Sequence, residues 1–187
     1  MENNWHVEDT LGRDVQMGLN EEFVYGEIDN KVANRIIQRI IYAKAYGQSL
    51  TINFEHSADA EIGIVKMLID VMDKYKEDVI IHTRADGELG AGASMLFINC
   101  SKGQREMAPN SILNIDGVVI DNFTGNIIDF KDKIKGIQED NAFIIKTLKA
   151  NIKDSIILNK AEKAIKTGKQ FKITAQDLYV KDEVVII

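Results

Sequence analysis

Residues 87–111 read GELGAGASMLFINCSKGQREMAPNS, and the order of residue types in this stretch decides how the rest of the chain is read. Gly87 and Gly90 bracket a turn of small residues, because glycine tolerates backbone conformations that a Cβ forbids. The small and apolar residues that follow predict a short buried helix over 91–99. Lys102-Gly103-Gln104-Arg105 then reads as a basic hairpin, and Pro109-Asn110, with the single proline of the chain, as the entry to a strand.

Upstream of this stretch the pattern alternates between strand and helix. Phe23-Val24-Tyr25 predicts a short strand. Asp29 or Asn30 then caps a helix whose Val32, Ala33, Ile36, Ile37, Ile40 and Ile41 recur at helical spacing, with Gly47 as its stop. Ser49–Phe54 reads as a strand, Asp59 as the opening of a second helix, and Val79-Ile80-Ile81 as a strand buried on both sides. Strands and helices alternating at this spacing predict right-handed crossovers and an α/β fold with a parallel sheet. Downstream, 111–120 reads as extended and 127–152 as a long helix. A further helix runs over 155–167 and ends at Gly168. Phe171–Ile173 reads as a strand, Thr174 with Asp177 as a capped turn, and 184–187 as the last strand. No linker or repeat divides the chain, so 21–187 reads as one domain, preceded by a weakly patterned segment over 1–20.

Composition narrows the functional classes. A chain of 187 residues, 45% hydrophobic, has the apolar content for a substantial core. Its formal net charge of -6, without an Arg/Lys stripe, argues against nucleic-acid binding. No apolar run approaches the roughly 18 residues of a membrane span, and residues 1–10 carry no signal-peptide pattern. One cysteine, Cys100, excludes an internal disulfide and reads as a core thiol in the run LFINC, which fits a cytoplasmic protein. No metal-ligand spacing or phosphate-binding loop is present, so no metal or cofactor is expected.

The succession of small-residue turn, short helix, KGxR and Pro-Asn resembles the ClpP family of proteolytic subunits, within the ClpP/crotonase superfamily. EEFVYGEIDNKVANRIIQRI is similar to that family's first strand and helix, SLTINF to its next strand, and ADAEIGIVKMLIDVM to its crossover helix. TAQD and KDEVV resemble its C-terminal segments. The resemblance implies a spiral of strand-helix repeats, with a handle over 123–153 through which subunits associate into rings. It also implies a serine nucleophile in a GMAASMG-like turn, a histidine base on the strand after Pro-Asn, an aspartate near the C-terminus and a glycine-rich oxyanion loop.

None of these groups stands where the register puts it. Counting eleven residues back from Lys102 places Ala91 at the nucleophile position. Asp116 takes the position of the base, and Ile165 that of the acid, with no acidic residue between Ala164 and Gln176. The oxyanion loop is replaced by FEHSADAE, which has no glycine. Ser94 lies three residues after Ala91, just under one turn, a rise of about 4.5 Å. It reads either as a packing residue or as a relocated nucleophile paired with His56, with Asp59 or Glu55 as orienter. Gly90-Ala91-Gly92 also resembles the crotonase turn, whose helix N-terminus stabilises an enolate, although no CoA-binding feature accompanies it.

The reading that follows from the resemblance is an inactive ClpP-like homologue in a homo-oligomer or beside a sibling subunit. The alternatives are a serine peptidase built on Ser94 and His56, and a binding module that offers Asp116 and Glu88 to a peptide.

Overall fold

The computed structural model describes residues 20–187 except Ser57, Lys102, 121–123 and 180–183. The chain runs through β1 (Glu21–Val24), α1 (Asn30–Tyr46), β2 (Leu50–Phe54), α2 (Ile62–Tyr75), β3 (Ile81–Ala85), β4 (Glu88–Leu89) and α3 (Ala91–Ile98). It continues through β5 (Arg105–Met107), β6 (Ile112–Ile115), α4 (Ile127–Asn151), α5 (Ser155–Thr167), β7 (Phe171–Thr174), α6 (Ala175–Tyr179) and β8 (Val185–Ile186). The expectations for residues 1–19, for Lys102 of the KGxR run, for the start of the handle and for Lys181 to Glu183 of KDEVV lie outside the described residues.

Local chemistry accounts for the first crossover. The Asp29 carboxylate accepts the Val32 N–H at 2.8 Å, and Gly47 closes α1 in the left-handed conformation at φ 64°. Ala33, Ile36, Ile40 and Ala43 recur every three or four residues and are the side chains this helix buries. Burying each isoleucine is worth roughly 1.5–3 kcal/mol, far more than either cap. β1, β2, β3, β5 and β8 form one sheet in that order, with every pair parallel. A smaller sheet has the order β4-β6-β7, parallel between β4 and β6 and antiparallel between β6 and β7. The fold is thus mixed α/β with a parallel main sheet.

α3 occupies the centre. All residues from Gly92 to Ile98 are buried, so this helix has no polar face, as expected of one surrounded by protein. The Thr83 hydroxyl donates to the Phe97 carbonyl at 3.1 Å and ties β3 to the end of α3. α4 behaves differently. Its 25 residues span about 37 Å, yet its buried side chains, Ile144, Thr147 and Leu148, all lie in its C-terminal half. Ile127 and Ile128 in its first turn are 73% and 68% exposed. An Asn126/Asp129 capping box stabilises that end locally. Among the described residues no helix is long and apolar enough to cross a membrane.

Three local expectations are corrected. β3 begins at Ile81 rather than Val79, because Ile80 faces solvent and the parallel register with β2 starts at Leu50–Ile81. Arg105 stands in β5, parallel to β3, so the KGxR region is a crossover and not a hairpin. Asp59 does not open α2. That helix begins at Ile62 after Glu61, without a side-chain cap, and Asp59 is turned elsewhere.

Candidate functional site

A cleft of about 210 Å3 opens at the N-terminal end of α3. Ala91 and Gly92 of α3 line it together with Asp59 and with Asp116, the residue after β6; Met95 and Ile144 contribute to its apolar wall. Ile165 of α5 is buried beside it, its carbonyl so near Gly117 that a methyl added there would come within 2.8 Å. Three positions far apart in sequence, Ala91, Asp116 and Ile165, are therefore gathered at one place. The 117–118 segment is held by α4. Asn141 accepts the Val118 N–H at 2.8 Å through Oδ1 and donates to the Val118 carbonyl at 3.2 Å through Nδ2. This side-chain amide imitates a strand partner, and no short-range sequence signal points to it.

The floor of the site is set by close approach between two loops. Gly87 has φ +85°, a conformation that favours glycine, and a methyl there would overlap the His56 ring. A methyl at Gly90 would overlap the Asp59 side chain, and one at Gly92 the backbone of Ala60. The glycines thus let His56, Asp59 and Ala60 lie flush on the turn and helix. Backbone bonds pin that loop from the other side: Asp59 N–H donates to Gly26 at 3.0 Å, and Ile28 N–H to Asp59 at 2.7 Å.

The consequence is electrostatic. Gly90 precedes α3 with no side chain to cap it. The Asp59 carboxylate does so across 33 residues, its Oδ1 accepting the N–H groups of Gly92 and Ala60, each at 2.8 Å. The N–H of Gly90 is also engaged, by the Ala58 carbonyl at 2.8 Å. A helix N-terminus is a natural anion site, since its first amides point outward and its dipole is positive there. Here the protein's own carboxylate occupies it.

Asp116 faces this charge. Burial, chiefly, and the neighbouring negative charge of Asp59 push its carboxyl above the usual aspartate range, against a hydrogen bond with Gln170 that lowers it. The folded protein therefore holds the Asp116 proton to higher pH than the unfolded chain does. The resulting penalty is absent below about pH 3.9, where both states are protonated, and is complete once pH exceeds the raised folded value. Asp116→Asn is expected to raise the urea midpoint at neutral pH and to leave it unchanged near pH 3. An equal gain at both pH values would remove the electrostatic account.

No protein-family model matches the chain, and no curated protein matches it. The chemistry of the cleft is read from its own side chains. Among the described residues that line it there is no Ser, Thr, Cys, Lys or His. Ser94 is fully buried and its hydroxyl points to the Leu89 carbonyl at 3.5 Å, the packing role open to it from sequence. His56 is exposed over Gly87. Glu88 is bound to Lys172 Nζ at 2.6 Å and to Asn114 Nδ2 at 3.0 Å, contacts that hold its carboxyl below the usual range. Cys100 is a buried free thiol whose pKa is raised by that burial. Among the described residues no group of three or more His, Cys, Asp or Glu could hold a metal ion.

Asp59 is the site residue whose role the sequence concealed. From sequence it reads as the opening of the second helix or as the orienter of a Ser94–His56 pair, and its actual contact is with the start of a helix 33 residues away. The legible hint was Gly90 and Gly92: glycines at a helix start, with no cap residue, leave room for a capping group from elsewhere.

Proposed function

We propose that this protein is a ClpP-like homologue without peptidase activity, acting as a structural or regulatory subunit of a homo-oligomer in the cytoplasm. The observation that carries the reading is that Ala91 and Asp116 line one cleft, with Ile165 packed against Gly117 at its edge. A register taken from the KGxR and C-terminal landmarks assigned those positions to nucleophile, base and acid. Their proximity supports that register. Acyl transfer by a serine triad needs an attacking oxygen, a base and free oxyanion donors. The cleft instead presents a methyl group, a carboxyl and an amide already bound to Asp59.

The strand-helix succession β1-α1-β2-α2-β3 and the projecting α4 support the spiral of repeats with a handle. The exposed Ile127, Ile128 and Phe130 support association through that helix, since apolar side chains clustered on an arm are stabilised by burial against a partner. Light scattering is expected to give a mass several times that of the 187-residue chain. Ile127→Glu with Ile128→Glu is expected to reduce that mass without lowering the melting temperature of the monomer. A wild-type monomer would defeat the oligomer reading. A fluorophosphonate probe is expected to leave the protein unlabelled, and labelling abolished by Ser94→Ala would establish the peptidase alternative instead.

A further inference from the structure

We draw no further inference here: the strongest candidate, the outer face of the parallel main sheet, where exposed Phe23 of β1 and Val185 of β8 flank Asn53, Arg84 and Glu106 in one cross-strand row, carries none because nothing in the structure shows what covers it.

Discussion

Gly92→Val is expected to lower stability by about 3 kcal/mol or more, the upper end of what overpacking a filled interior costs. Glycine inside a helix is ordinarily a weakness, and a side chain there gains up to roughly 1 kcal/mol of helix propensity. At Gly92 the sign reverses, because an added Cβ overlaps the carbonyl oxygen, nitrogen and carbonyl carbon of Ala60. These are main-chain atoms and cannot rotate aside. The loop that carries them is pinned by the Asp59–Gly26 and Ile28–Asp59 bonds, so it cannot easily retreat. Gly136, within α4, is the internal control, with nothing within 4 Å of an added Cβ. Gly136→Ala is expected to stabilise by roughly 0.5–1 kcal/mol. Urea unfolding of both variants reads the contrast directly. A Gly92→Val protein as stable as the parent would mean that loop and helix do not touch, and the occupied helix terminus would lose its basis.

The second large effect concerns the three positions that the proposed ClpP-like register assigns to a triad. Ile165 is 2% exposed, and Ile165→Asp places a carboxylate where the surroundings are apolar. An uncompensated buried charge costs roughly 3–5 kcal/mol, which for a domain of this size corresponds to a fall in melting temperature of roughly 10 °C. Combining it with Asp116→His and Ala91→Ser is expected to recover part of the loss, since the imidazole offers the new carboxylate a partner. The triple variant is nevertheless expected to remain less stable than the parent and to stay unreactive toward a fluorophosphonate. The Gly92 amide that would receive an oxyanion is held by Asp59. A melting temperature at or above the parental value would contradict the apolar role of Ile165. Labelling of the triple variant would show that Asp59 yields its place to a ligand.

Much of the secondary structure is legible in the residues because its causes are local. α1 follows from Asp29, Gly47 and the apolar spacing between them, and α5 in the same way from Asp154, Gly168 and its buried Ile157, Ala161 and Ile165. The reciprocal Thr174/Asp177 bonds that open α6 also lie within four residues. The errors cluster where a local pattern had two readings. Val79-Ile80-Ile81 is apolar throughout, but a parallel partner decides which of its residues enters the strand, and that partner is β2. The basic run ending at Arg105 has the composition of a turn, yet whether it reverses the chain into a hairpin or returns it parallel depends on where β3 already lies. At the cleft, Asn141 and Asp59 act through contacts that no pattern of neighbours reveals.

The order of residues determined where helices begin and end and which faces are apolar, because capping and side-chain spacing operate within a turn or two of the backbone. Only the tertiary structure decided which helix Asp59 serves. A carboxylate forms its strongest bonds wherever unpaired amides come within reach, and here the β1–α1 loop and three glycines carry it to the start of α3 rather than α2.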